Sequence, residues 1–407
     1  MEEVAQEFML MSICKSKVED LPKELLISIL LRLPLKDLLQ CKKVCKELYA
    51  IITSFPFTDV RRKMRNSQIL VKYEDPISKY HVIYLLSDET LEVIDTEPVL
   101  SHTPLMDSMR IDFKHSVTVV GCSSGVVCLR CIPPHDEYFL WNLATRDAKI
   151  IPDGLYKSNP EKNMFQHLNM GFGFISKNND YKLVSIQCLF ENNTYRPVQP
   201  CQQEVEVYSL KTGCWKLLPD IIPTCDIILA QPHSGTACGE MFSWLVENDK
   251  YGEHVMSFDM SNEVFITTPL PPRIIERSRP GNCWNSLMFH NKSLALDHCA
   301  RDRNNDTKTH SIWVLGEYGV KDSWTNLFNV GPLEYLGPST RGFCNNNGVL
   351  LQVDGDGCRH DLILVDPSIR KIKDLDIHGT SSMQILNYQE SLAQINATPS
   401  SRILDGS

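Results

Sequence analysis

At 407 residues, 43% hydrophobic and 22% charged with a net charge of −9, the chain is too apolar for disorder and has room for a small and a large domain. No run approaches the ~20 consecutive apolar residues of a membrane span. The opening MEEVAQEFMLMSICKSK places acids where a secretory signal needs bases, so the expected setting is cytoplasmic or nuclear, without a membrane. Fifteen scattered cysteines, an odd number lying mostly in apolar runs, read as reduced thiols packed as small hydrophobes. Residues 1–65 carry a net +3 and the remainder −12, which disfavours nucleic acid and suits a basic macromolecular partner, or serves solubility alone.

In chain order, residues 1–17 are expected as a flexible tail and residues 18–60 as a helical module. In LPKELLISILLRLPLKDLLQCKKVCKEL, Glu19 and Asp20 suit the positive end of a helix dipole and Pro22 suits a first turn. Leu25, Leu26, Ile29, Leu30 and Leu33 recur at helical spacing, and Pro34 ends the helix. A second short helix carries Leu35, Leu38 and Leu39. A third carries Val44, Cys45, Leu48, Ile51, Ile52 and Phe55. So small a module cannot enclose all these side chains, each worth roughly 1.5–3 kcal/mol when buried, so part of the apolar face should stay open for a partner. Residues 61–80 are expected as a linker, and the basic run Arg61, Arg62, Lys63 and Arg65 that ends the segment 43–65 reads as a solvated linker helix, with nucleic-acid contact as the alternative.

Beyond residue 80 the periodicity changes to short strands, and two kinds of strand–turn–strand unit alternate. One is FLWNLATRDAKIIPD (139–153), repeated at 207–220, 256–270, 312–328, 362–375 and, more faintly, 83–94. The other is VTVVGCSSGVVCL (117–129), repeated at 171–186, 235–246, 286–296, 342–353 and 385–395. Six inner and six outer pairs spaced by ~50 residues predict a six-bladed, kelch-like β-propeller over 81–396, closed by joining its first and last segments in one blade. The fold class is therefore α+β multidomain, three helices followed by an all-β ring. Residues 397–407 are expected as a flexible tail.

Few patterns point to chemistry. Gly121-Cys122-Ser123-Ser124-Gly125 matches a serine nucleophile elbow, but a strand pattern follows where a helix is required, which favours a hairpin turn. Cys128 and Cys131 form a lone C-x-x-C without the second ligand pair of a zinc site. Asp354, Asp356 and Asp361 hint at calcium without a full loop. Trp215, Phe265 and Trp324, similarly placed in their repeats, read as blade core. No catalytic residue, cofactor or metal is expected.

Residues 21–59 resemble an F-box, through Leu21-Pro22, Leu25, Ile29-Leu30, Arg32-Leu33-Pro34, Lys36, Leu38, Val44-Cys45-Lys46, Ile52 and Phe57. The departures are Leu48, where plant members usually have Trp, and Lys42-Lys43 in place of a more apolar pair. The resemblance implies docking on a Skp1-like adaptor, and through it a cullin, by Leu21, Pro22, Leu25, Ile29, Leu30, Leu33, Pro34, Leu38, Val44, Cys45 and Leu48. It also implies loss of that docking in Leu30→Glu. The body resembles the F-box-associated domain of plant F-box proteins in GFGFISKNNDYKLVSI, EVEVYSLKTGCWKLL, IWVLGEYGVKDSWTNLFNVGPL and IHG…ILNYQESLAQI. The last two stretches look closest to S-locus F-box proteins, whose client is a non-self S-RNase, a basic RNase, marked for ubiquitination and degradation. These likenesses imply a substrate receptor of a Skp1-cullin-F-box ubiquitin ligase. Its target specificity is expected in the polar insertions 188–204, 247–254, 273–284 and 299–310. The rival reading is a sugar-binding or enzymatic propeller with a helical cap.

Overall fold

The computed structural model describes residues 21–395 apart from 65–66, 76, 78–80, 96–115, 133–136, 156–163, 192–202, 220–226, 230–234, 249–251, 273, 275–282, 303, 335–338, 345–347, 357–358, 369–370 and 381. The two terminal tails expected from the sequence lie outside the described residues. Among the described residues the N-terminal module holds four helices where three were expected: α1 (Lys23–Arg32), α2 (Leu35–Val44), α3 (Lys46–Thr53) and α4 (Phe55–Met64). Prolines set the breaks. Pro22 and Pro34 stand just before α1 and α2, and their carbonyls accept the N–H groups of Leu26 at 3.0 Å and Leu38 at 3.1 Å. The expected third helix divides at Ser54, which is extended (φ −68°, ψ 142°). Pro56 then falls in the first turn of α4, the one place where its missing N–H and its ring are tolerated.

The module's core joins Leu26 and Leu30 of α1, Leu38 of α2, Leu48, Ile51 and Ile52 of α3 and Phe57 of α4. One more buried side chain completes it, Leu392, from the far end of the chain. Arg61, expected in a solvated helix, is buried. Its guanidinium donates to the carbonyls of Leu31 at 3.2 Å and Leu33 at 2.9 Å, satisfying the open C-terminal end of α1.

The body is a ring of six antiparallel sheets. Blade 1 runs Ser116–Ser123, Val126–Ile132, Glu137–Asn142, Ala148–Ile151, and blade 2 runs Met164–Ile175, Asp180–Glu191, Gln203–Ser209, Cys214–Leu217. Blade 3 runs Thr236–Cys238, Met241–Asn248, Gly252–Asp259, Val264–Pro269, with Ile227–Leu229 also paired to its second strand. Blade 4 is Cys283–His290, Ser293–Asp302, Thr307–Leu315, Trp324–Leu333, and blade 5 is Ser339–Phe343, Val349–Asp354, His360–Asp366, Lys371–Gly379. Blade 6 closes the ring with Gln384–Tyr388 innermost, then Gln68–Glu74, His81–Ser87 and Val93–Asp95. First and last segments thus share one sheet, with Gln68 opposite Tyr388, and no sheet edge is left open between them.

Two expectations need correction. Gln68–Glu74, assigned to a linker, is a strand of the ring. Its apolar residues are committed on both faces: Leu70 packs with blade 1, and Ile69, Val71 and Tyr73 pack with blade 5. Residues 389–395, expected as half of an inner strand pair, form no strand. The partner that Gln384–Tyr388 requires is supplied from the other end of the chain, which frees 389–395 to run as a strap across the helical module.

Hydrophobic clusters lie between neighbouring blades, as a closed ring requires: Leu70 and Ile83 of blade 6 pack with Val117, Val127 and Phe139 of blade 1. Trp215 and Trp324 add directed bonds between blades. Each donates its indole N–H to the end of the preceding blade's outer strand, at Pro152 O (2.7 Å) and Pro269 O (2.9 Å). Trp215 and Phe265 pack against interblade clusters and Trp324 is buried within one, as expected of blade core.

Candidate docking surfaces

The structure divides the sequence-predicted docking residues. Leu30, Leu38 and Leu48 are enclosed by their own chain, at 3%, 0% and 3% exposure. Leu33, Val44 and Cys45 are half-buried, and Cys45 is further committed by its thiol, which accepts the Leu48 N–H at 3.4 Å. Leu21, Pro22, Leu25, Ile29 and Pro34 are exposed. Leu25 and Ile29, four residues apart, share one face of α1 and are 49% and 42% exposed, and Leu21, 37% exposed, stands just before the helix. Helical geometry explains the division: Leu26 and Leu30 lie about 100° further round the helix and face inward. A separate apolar cleft of about 340 Å³ lies between α1, α3 and α4, lined by Ile27, Leu31, Ala50 and Val60.

The helical module is fixed at one end of the ring. Arg62 donates to Ser124 Oγ at 2.8 Å, pairs with Asp59 and lies over the Phe174 ring with 5.3 Å to its centroid. Gln389 Nε2 donates to the Arg62 carbonyl at 2.6 Å, and Gln394 Nε2 to the Tyr49 hydroxyl at 3.0 Å. Asn142, wholly buried, donates to the carbonyls of Ser391 and Ala393, both at 2.9 Å. Ile395 packs into the cluster between blades 1 and 2, while Leu392 enters the helical core. At Gly125 (φ +79°) a Cβ would come within 2.3 Å of Ser391 Cβ, so only glycine lets the strap pass so close.

These contacts lie at the end where first strands turn into second strands, since Ser124 and Gly125 form such a turn. Antiparallel alternation then places every second-to-third connection and every blade-to-blade connection at the opposite end. The strand ends that flank the long connections 96–115, 152–163, 192–202 and 270–282 all lie at that far end. The described strand ends within the insertions expected to select a target, 188–204, 247–254, 273–284 and 299–310, lie there too, and much of the rest of those insertions falls outside the described residues.

The patterns that hinted at chemistry serve the fold. Ser124 (φ 46°) and Gly125 form the hairpin turn, and Ser123 Oγ accepts the Phe174 N–H at 3.1 Å. Cys128 and Cys131 point to opposite faces of blade 1 and join different core clusters. The ten cysteines whose side chains are described, Cys128 and Cys131 among them, are free thiols. Asp354 pairs with His360 at 3.0 Å, and Asp361 with Arg359 at 2.7 Å and His378 at 2.8 Å.

One cluster escaped the sequence reading. Between blades 4 and 5, Cys299 Sγ lies 3.8 Å from His310 Nε2, and His310 Nδ1 lies 2.8 Å from Asp297 Oδ2, an order of groups found in thiol nucleophiles. Thr340 Oγ1 stands 3.1 Å from the same His310 nitrogen. Burial disfavours the imidazolium, but the Asp297 carboxylate outweighs it and raises His310 to about 10. An imidazole that already holds its proton cannot take one from the thiol. With Cys299 5%, His310 0% and Asp297 2% exposed, no substrate reaches it, and the cluster acts as a charged pin between two blades. The folded pKa lies above the unfolded value near 6.5, so the pin's stabilisation is complete below about pH 6.5 and disappears as pH rises through about 10. Melting temperature followed from pH 6 to 10 should therefore fall in the wild type, with a flatter profile in His310→Gln.

An F-box-like module with an open apolar stripe, fixed at one end of a six-bladed ring, defines the chain as an F-box propeller protein. The F-box domain family matches residues 18–59 and the F-box associated beta propeller domain family residues 61–395, so the chain belongs to the F-box-associated propeller family and is of the plant F-box type. Similar proteins from Arabidopsis thaliana include F-box protein CPR1, 22% identical over 76% of this chain and 73% of that protein. F-box/kelch-repeat protein At3g23880 is 22% identical over 78% of this chain and 82% of its own length. Among solved structures, a fucose-specific lectin from Aleuria aurantia, described as a six-bladed β-propeller, aligns with TM-score 0.38 and 9% identity over 78% of this chain and 96% of the lectin. Among the described residues, no helix is long and apolar enough to cross a membrane.

Proposed function

We propose that the chain is a non-enzymatic substrate receptor of a cullin-based ubiquitin ligase. Leu21, Pro22, Leu25, Ile29 and Pro34, flanked by Leu33, Val44 and Cys45, meet a Skp1-like adaptor. Leu30, Leu38 and Leu48 hold the helices that present this surface. The far end of the ring holds the client, and proximity converts ubiquitin transfer from an encounter in solution to a local step. The observation that carries this reading is the exposed Leu21–Leu25–Ile29 stripe, at the end of the molecule opposite the long connections.

The client is a basic protein, and a non-self S-RNase fits this class. What supports it is the −12 net charge of residues 66–407, together with the likeness of the 312–333 and closing stretches to S-locus F-box proteins. The test is client capture by the full-length chain in tissue treated with a proteasome inhibitor, compared with a chimera whose far-end connections come from a relative. The captured set should change while adaptor and cullin recovery does not. An unchanged set would place client recognition elsewhere. Association with a basic RNase should also slow as salt is raised; a salt-independent rate rules out electrostatic steering.

A further inference from the structure

The axis of the ring is a channel of about 1100 Å³ lined by the innermost strands of all six blades. Among the described residues its walls carry four Lys/Arg side chains, Arg62, Lys72, Lys292 and Arg341, against two carboxylates, Asp88 and Glu240, in a chain whose net charge is −9. Glu240 accepts from the Ser176 N–H at 2.9 Å and from the Ser261 hydroxyl, Asp88 and Arg341 are also engaged, and Arg62 pairs with Asp59. The acidity of the body does not extend to its axis.

Lys72 is the unusual member. It is 1% exposed, it lines the channel, and its ammonium has no hydrogen bond or ion pair among the described residues. Burial depresses it to about 8, opposed by the field of Glu74. Arg341 sits at a bulge of blade 5's inner strand, where burial likewise lowers it, and its Nε donates to Gln352 Oε1 at 2.8 Å. The two residues flank the closing strand: Lys72 lies opposite Gln384 in register, and a Cβ on Gly342, next to Arg341, would stand 3.3 Å from Ile385. Gln384 is itself committed across the seam, accepting the Val119 N–H at 2.8 Å and donating to the Val119 carbonyl at 2.9 Å. Both cations stand towards the far end of the channel.

We propose that this part of the channel binds a small polyvalent oxyanion, bearing phosphate or carboxylate groups, with Lys72 and Arg341 as charged contacts and the Thr118 hydroxyl beside them. A desolvated ammonium without a hydrogen bond or ion pair among the described residues, and a planar guanidinium, in a low-dielectric cavity bind oxyanions more strongly than surface cations do. The volume admits a ligand of metabolite size. The occupant would join the inner strands of blades 5, 6 and 1 at the seam of the ring. This site is independent of the helical module, so adaptor binding should be unaffected by changes here.

Calorimetric titration of the full-length chain with sodium pyrophosphate, and separately with citrate, at constant ionic strength tests the proposal. One saturable site is expected, weakened roughly tenfold or more in Lys72→Met and in Arg341→Gln and retained in Lys72→Arg. Tighter pyrophosphate binding assigns a phosphate ligand, and tighter citrate binding a polycarboxylate. No saturable binding of either anion, or the same affinity in both charge-removing variants, overturns the proposal. If thermal melting shows that Lys72→Met does not fold, the comparison of Arg341→Gln with Lys72→Arg decides it.

Discussion

Replacing Leu25 and Ile29 together by glutamate is expected to abolish capture of a Skp1-like adaptor while the protein stays folded. Both side chains are more than 40% exposed in the free chain, so the change costs folding within about 0.5 kcal/mol each. Covering the part of each side chain still open, a little under half, is worth roughly 1.5–3 kcal/mol in all, about one to two orders of magnitude in affinity, and burying two unpaired carboxylates in the interface costs several kcal/mol more. Leu30→Glu gives the same absence of binding for another reason. Leu30 is 3% exposed, and a carboxylate there is buried without a partner, so the module unfolds. Circular dichroism at 222 nm alongside an adaptor pull-down separates the two: helical signal kept in the double variant, reduced in Leu30→Glu. A double variant that binds as tightly as the wild type would remove the stripe from the interface.

Leu392→Asp is expected to destabilise the helical module selectively, although it lies at the other end of the sequence. Leu392 is 3% exposed in a core otherwise made by α1–α4. Truncating a buried leucine to alanine costs about 2–5 kcal/mol, and an unpaired carboxylate costs more. A module of this size has little stability to lose. The ring, closed through Gln68–Glu74 and Gln384–Tyr388, does not need Leu392 for its sheets. Calorimetry should therefore show a new low-temperature transition, with the ring's transition little changed and adaptor binding lost. A single transition shifted as a whole would mean that ring and module unfold together.

Most of the ring was legible because blades are local. Each pair such as 117–129 or 207–220 joins neighbouring strands through a short turn, and period-two alternation marks it without distant information. Blade 6 was half hidden because its strands come from both ends of the chain. The apolar run Ile69–Tyr73 carried a strand signal, but only the short Asn66-Ser67 pair separates it from the basic helix, too weak a break to mark the domain boundary. The strap was misread for the opposite reason: ILNYQESLAQI has the pattern of a strand–turn–strand, yet Leu392 and Ile395 pack in two different places. In α1 the leucines could be counted from sequence but not divided, since Leu25 and Leu26 differ only in what the other helices cover. The His310 pin and the Lys72 channel wall join residues from separate strands or blades, and nothing in the spacing of a single sequence brings them together.

Hydroxyl-radical footprinting of the full-length chain, alone and with a purified Skp1-like adaptor, tests the central claim most directly. Leu21, Leu25 and Ile29 should label readily in the free protein and lose labelling in the complex, while Leu30 and Leu38 stay dark in both. Labelling of Leu21, Leu25 and Ile29 that persists in a stable adaptor complex would contradict the account.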